Sequence, residues 1–227
     1  MPFLPLLLLA AIPVFSGRVI LPAGEGTLAV PLRATMEAGA VTTYEVDVDA
    51  AALLPELARE LTTGVEGLAA SCHQELAAGE PSFAGAGGSI AVVLPVSFTQ
   101  YLCTEMWGKK KLFSEQGRIR SLIGVEVEGG RPRLVLKEFS VDGLSRMAAT
   151  ARTDLLLKAA LEREIKTINE SDELAAITRG LDDEGFLLTG IRAAEDREGL
   201  ALLLSMSGPR GKEHFRRALD RTAAAFQ

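Results

Sequence analysis

The residues able to do chemistry are few and scattered. There are two histidines, His73 and His214, and a metal site needs three or four clustered ligands. Cys72 and His73 are adjacent, but neighbours on a helix point about 100° apart, so the pair forms no clamp. Asp47-Val48-Asp49 has the form of a carboxylate pair on Mn²⁺, yet it is three residues long, lies at a strand end, and Asp49 has a simpler use as an N-cap. The chain contains no G-x-S-x-G elbow, no S-x-x-K pair and no H-E-x-x-H helix. Gly85-Ala86-Gly87-Gly88 lacks the Lys-Ser/Thr of a phosphate loop and leads into a strand, so no helix N-terminus is there to hold phosphate; it reads as a connector. These absences argue against an enzyme and give no catalytic residue, no metal and no cofactor.

Composition narrows the class further. The 227 residues are 48% apolar and 24% charged, enough for one sizeable core, and the net charge of -6 gives no general attraction to nucleic acid. Charge is unevenly spread, since residues 208–227 carry +3 and the remainder -9. Seven lysines against 17 arginines, and a single asparagine, Asn169, suggest a GC-rich bacterial source. Asn169-Glu170-Ser171 is therefore not read as a glycosylation site.

The N-terminus sets the expected compartment. Residues 3–16, FLPLLLLAAIPVFS, are uncharged and apolar, end in Val14-Phe15-Ser16-Gly17, and suit signal-peptidase cleavage after Ser16. At 14 residues the run is shorter than the roughly 20 that span a bilayer. It lacks a preceding Lys or Arg and holds two prolines, so a retained anchor or a strand is the alternative. Export places the protein in the periplasm or outside the cell. There Cys72 and Cys103, for which only one intramolecular pairing exists, would form a disulfide from helix to sheet; unbridged, both would pack as small apolar residues.

The elements that would position a site follow from periodicity. Strands are expected at 27–33 and 41–49, the second alternating Tyr44, Val46 and Val48 with polar neighbours. Asp49 caps a long helix whose stripe is Leu53, Leu57, Leu61, Val65, Leu68, Cys72 and Leu76. Residues 90–98, IAVVLPVSF, read as a strand covered on both faces, though Pro95 prefers an edge or bulge. Lys109-Lys110-Lys111 reads as a solvated turn beside a core Trp107, with contact to an anionic membrane as its rival. A hairpin turns at Gly129-Gly130 between strands 118–127 and 133–141, with a bulge expected at Lys137-Glu138. A second amphipathic helix spans 145–169 on Leu157, Leu161, Ile165 and Ile168, and a hairpin follows at 186–206. Residues 208–227 form a basic amphipathic helix, with Phe215 on the apolar side and Arg216, Arg217 and Arg221 placed to touch an anionic membrane. The expected layout is a signal peptide at 1–16, one α+β domain at 17–207 and that terminal helix.

The order strand, long helix at 53–76, antiparallel strands at 90–141, second helix at 145–169 and strands at 186–206 resembles a half-module of the tubular lipid-binding superfamily, which includes bactericidal/permeability-increasing-like proteins. The resemblance implies an α+β fold in which a curved antiparallel sheet wraps a long helix and acyl chains fill the interior; some members tie helix to sheet by a disulfide. The implied function is a periplasmic lipid-binding or lipid-shuttling protein. Its cavity is expected among Leu57, Leu61, Leu68, Leu157, Leu161 and Ile165 on the helices and Val92, Leu94, Val96 and Phe98 on the strand. The alternative is an envelope interaction or structural protein of the same fold with a solid core and no ligand.

Overall fold

The computed structural model describes residues 11–23, 26–67, 72–104, 106, 108–143, 153–196 and 199–224. Two antiparallel sheets dominate. The first takes its strands from both chain ends, in the spatial order β1 (Ile12–Ala23), β2 (Gly26–Glu37), β3 (Thr43–Asp49), β10 (Gly199–Ser207), β9 (Leu187–Asp196). The second is built on β6 (Ser89–Thr104), flanked on one side by β7 (Gly108–Glu128) and β8 (Arg131–Asp142). The other edge of β6 is shared by β4 (Gln74–Ala78) and β5 (Ser82–Ala86). Among the described residues the helices are α1 (Leu54–Gly67), α2 (Thr153–Asn169), α3 (Asp172–Asp183) and α4 (Lys212–Ala224).

This arrangement corrects the expected fold class. The protein is mostly β, with short helices, and is not a curved sheet wrapped on a long helix. The helical stripe from Leu53 ends with α1 at Gly67, and Leu76 faces the core from β4. A four-residue spacing suits a helix but is also a multiple of two, so the Cys72-to-Leu76 part of the stripe fits a strand equally well. Pairing of Gln74–Ala78 with Gln100–Val96 decides it, after a helix end weakened by Gly64 and Gly67. Leu68 lies outside the described residues, as does the start of the expected second helix.

Alternation places one face of each sheet in a core. On the first sheet Leu32, Ala34, Met36, Tyr44, Val46, Leu188 and Met206 pack beneath Leu181 of α3 and Phe215 and Ala218 of α4. On the second, Leu76, Leu94, Val96, Phe98 and Ile119 pack beneath Leu157 of α2, with Val65 of α1 at the margin. A third cluster, Ala50, Ala193 and Leu200, joins the sheets where β9 meets the β5–β6 turn, and the Ala193 N–H donates to the Gly88 carbonyl at 3.0 Å. Gly85 is required at this junction, because a Cβ there would stand 2.4 Å from the Ala194 backbone. The glycine-rich stretch is thus the end of β5 and a two-residue hairpin turn rather than a loose connector.

Several local readings hold. Tyr44 and Val46 point inward from β3, and Asp49 accepts a bond from the Ala51 N–H at 2.9 Å, capping the 3₁₀ turn Ala50–Leu53 that leads into α1. Gly129 and Gly130, both with positive φ, close the β7–β8 hairpin. In β8 the register passes from Leu122↔Glu138 to Ile123↔Leu136, which leaves Lys137 as the bulged residue. Pro95 costs no ladder bond on the β4/β5 side because the partner strand is interrupted there, and Gly79 instead donates to the Pro95 carbonyl. Only one face of β6 is deeply covered: Val92, Leu94, Val96 and Phe98 are buried, whereas Pro95 is exposed.

The N-terminal strand bears on the expected cleavage point. Ser16 and Gly17 lie inside β1, and Val14 and Phe15 pack against the first cluster. Cleavage after Ser16 would remove the pairing with Arg33–Met36 and leave Gly17–Ala23 paired along Leu32–Gly26.

Candidate functional site

The second sheet and its two helices hold the residues expected to meet acyl chains. Leu94, Val96 and Phe98 come from alternate positions of β6, and Leu157 from α2; these four share one buried cluster. Val92 and Ile165 are buried as well. The remaining helix residues stand apart from that packing: Leu61 and Leu161 are half-buried, and Leu57 is 43% exposed. Along α1 no described residue is fully buried, so Leu53, Leu57, Leu61 and Val65 form an apolar stripe that the fold only partly covers. The burial that joins strand to helix is therefore supplied mainly by α2, while α1 packs through Val65 and leaves Leu57 and Leu61 partly uncovered.

Two open grooves border this region. One, of 670 Å³, runs between α2 and β8 over Pro132, Leu134, Leu136 and Ile165, with Arg131, Arg133 and Lys166 facing Glu128, Glu162 and Glu170 at its rim. Asn169 crosses its end, where its Oδ1 accepts from the Leu134 N–H at 2.7 Å and its Nδ2 donates to the Leu134 carbonyl at 2.9 Å. The other, of 620 Å³, lies where β4 gives way to β5, with Ala78, Gly79 and Pro95 against Arg118, Arg120 and Asp142. Arg120 pairs with Asp142 at 2.6 Å, so that groove has a polar wall.

No family model, curated protein or solved structure matches the chain.

The C-terminal helix forms, but its expected membrane face is turned inward. Phe215 is completely buried, stacked on Tyr44 at 5.3 Å between ring centres and edge-on to Phe186 at 5.9 Å. Tyr44 holds the entry to this helix: its hydroxyl donates to the Pro209 carbonyl at 2.5 Å and accepts from the Gly211 N–H. Burial pushes the Tyr44 phenol up from its ordinary range, opposed by the Gly211 bond. Two of the three arginines are engaged by α3 and the turn after it. Arg217 reaches Glu184 at 3.3 Å, and Arg221 reaches Glu184 at 3.0 Å and Asp183 at 3.8 Å. Arg216 is exposed. Phe215 is thus withdrawn from any membrane, while Arg217 and Arg221 pair with carboxylates at the end of α3 and stay more than half exposed. Residues 170–185 carry no assignment from sequence, although Leu174, Ile177 and Leu181 recur there at helical spacing and would have signalled α3.

Cys72 and Cys103 form a disulfide with Cα atoms 6.2 Å apart. It joins the approach to β4 to the far end of β6, so it ties strand to strand rather than helix to sheet. Next to it, Tyr101 donates to Glu75 at 2.7 Å, and Lys109 reaches the same carboxylate at 3.3 Å while lying 3.8 Å above the Tyr101 ring. The Tyr101 hydroxyl and then the Lys109 ammonium hold the Glu75 carboxyl below its ordinary range, and Glu75 in turn raises Tyr101. Lys109-Lys110-Lys111 belongs to strand β7, pairing with Cys103, Leu102 and Tyr101, and is not the turn expected from sequence.

Among the described residues no group of three His, Cys, Asp or Glu stands close enough to hold a metal ion, and no helix is long and apolar enough to cross a membrane. His214 bonds to Arg217 on α4, and His73 lies beside the disulfide with its carbonyl accepting from the Tyr101 N–H.

Proposed function

We propose that the chain is an exported envelope protein that binds lipid on an open apolar surface, without catalysis. The observation that carries this reading is α1. Its stripe of Leu57, Leu61 and Val65, continuing from Leu53 of the 3₁₀ turn, makes it amphipathic, yet none of these residues is fully buried, and Leu57 is 43% exposed beside a sheet whose core face is apolar. Burying such a stripe against an acyl chain would recover about 25 cal/mol for each Å² removed from water. A disulfide persists in oxidising compartments, which fits export. The lipid would lie along the outside of the packed cluster, between α1 and the margin of sheet and α2.

The rival reading, an envelope interaction protein with no ligand, draws on the packing of Leu94, Val96 and Phe98 directly against Leu157. Native mass spectrometry of protein purified without detergent separates the two. The lipid reading expects a bound species of acyl-lipid mass that is lost in Leu57→Asp and Leu61→Asp, both at incompletely buried positions. A clean apo mass after exposure to lipid extract, with α1 fully formed, would leave the interaction protein.

A further inference from the structure

We propose that the tip of the β6–β7 hairpin is a docking surface for an anionic lipid bilayer. Three large apolar side chains project there without cover: Leu102 at 43%, Leu112 at 55% and Met106 at 83% exposure. They are interleaved with Lys109, Lys110 and Lys111, all exposed. Apolar residues that can enter the headgroup region, set among cations that attract it, are the composition an anionic membrane surface selects.

Register explains how the two chemistries reach the same side. Pairing passes from Gln100↔Phe113 to Tyr101↔Lys111, so Leu112 is a bulged residue with no strand partner. Lys110 sits opposite Leu102, which puts a cation beside an apolar group on one face. The other face is occupied: Tyr101, Lys109 and Glu75 bond to one another, and the Cys72–Cys103 disulfide fastens the hairpin to the approach to β4. The tip is therefore stiffened on one side and left open on the other. Lys109 is engaged with Glu75, Lys111 stands opposite Tyr101 on that occupied face within electrostatic reach of the same carboxylate, and Glu105 adds one negative charge by sequence, so Lys110 supplies the attraction on the open face and Lys111 adds to it from the other. Since the whole chain has a net charge of -6, an anionic bilayer repels the body and favours approach by this end.

The inference is independent of the lipid site proposed along α1, because the two surfaces use different residues. The chain has one tryptophan, Trp107, next in sequence to Met106, so quenching of its fluorescence serves as the readout. The test is flotation of the full chain with vesicles of phosphatidylcholine alone or mixed with phosphatidylglycerol, at low and high salt, together with quenching of Trp107 by brominated acyl chains. Binding is expected to the mixed vesicles only, to weaken with salt, and to bring quenching. A basic residue near such a surface is worth roughly a fivefold change in partitioning, so Lys110→Gln with Lys111→Gln should lower it roughly 25-fold. Leu102→Ser with Leu112→Ser should abolish quenching, while Arg210→Gln with Arg216→Gln, just before and within α4 on the other sheet, should change neither readout. All these positions are exposed, and circular dichroism with disulfide mapping checks that each variant is folded. Equal binding to neutral vesicles, loss that follows the Arg210/Arg216 control, or wild-type protein that neither floats nor is quenched would overturn the proposal. So would concentration-dependent self-association abolished by the Leu102/Leu112 change in the absence of lipid, which would assign the tip to a second copy of the chain. Acyl loading by mass spectrometry should stay at wild-type level in every tip variant, which separates failure here from failure of the α1 reading.

Discussion

Asn169 offers the sharpest test of how the second sheet is closed. It is the last residue of α2, and its amide pairs with both backbone groups of Leu134 on β8, the outer strand of the sheet, in the manner of a missing neighbour. Replacement by alanine removes one accepting and one donating contact in a half-buried place. Net contributions of about 0.5–1.5 kcal/mol per bond give an expected loss of roughly 1–3 kcal/mol. Solvent can reach an edge strand, so a value near the lower half of that range is expected, about 1.5 kcal/mol. Asn169→Asp is more informative. Its carboxylate can still accept from the Leu134 N–H, but it has no proton to donate and faces the Leu134 carbonyl with negative charge. It should be at least as destabilised as the alanine variant at pH 7. Protonation should restore a donor, so its deficit relative to wild type should shrink as pH falls below about 4. Urea unfolding gives the free energies, and amide exchange at Leu134 tests the site itself. If both variants keep wild-type stability within about 0.5 kcal/mol and Leu134 exchange is unchanged, the amide is not what holds α2 to the edge.

Three further outcomes follow from named contacts. Replacing Cys72 and Cys103 by serine opens a closure spanning 31 residues, and chain-entropy reasoning gives a loss of about 3.7 kcal/mol, measured against the oxidised protein by denaturant unfolding. Tyr44→Phe keeps the ring stack but leaves the Pro209 carbonyl and Gly211 N–H unpaired, so about 1–3 kcal/mol should be lost. Because the folded state holds the Tyr44 proton more tightly than the unfolded chain, the contribution of Tyr44 to stability should be constant below about pH 10 and fall as pH rises beyond it, so the alkaline loss of stability should be smaller in Tyr44→Phe. Gly180→Val should unseat α4 from α3, since a Cβ at 180 would stand 2.5 Å from the Thr222 backbone nitrogen; near-native stability by thermal unfolding would show that the helices can separate without cost.

What the sequence showed well was local and two-periodic. The alternation of Tyr44 and Val46, the Gly129-Gly130 turn, and the slip at Lys137 each depend on neighbours a few residues away, and each appears as read. The long helix failed because a spacing of four cannot tell helix from strand when strand partners lie far along the chain. Leu76 acquires its environment from Phe98, 22 positions later, and nothing near Leu76 records that pairing. Helix α3 was legible in principle, since Leu174, Ile177 and Leu181 recur at helical spacing; what the sequence could not show is the close approach of Gly180 to Thr222 on α4, 42 positions later.

The candidate membrane surfaces show why charge and hydropathy together do not locate contact. Residues 212–224 and residues 101–112 both combine cations with large apolar side chains. In the first, Phe215 is fully buried and Arg217 and Arg221 meet Glu184, so both components are used within the fold. In the second, the bulge at Leu112 turns an apolar group out of the ladder, Met106 is 83% exposed, and Lys110 stands opposite Leu102 on the face away from Glu75. A helix end carrying Glu184 and a one-residue register shift decide between the two segments. Neither has a signature in composition, so the assignment passes from the more amphipathic segment to the less satisfied one.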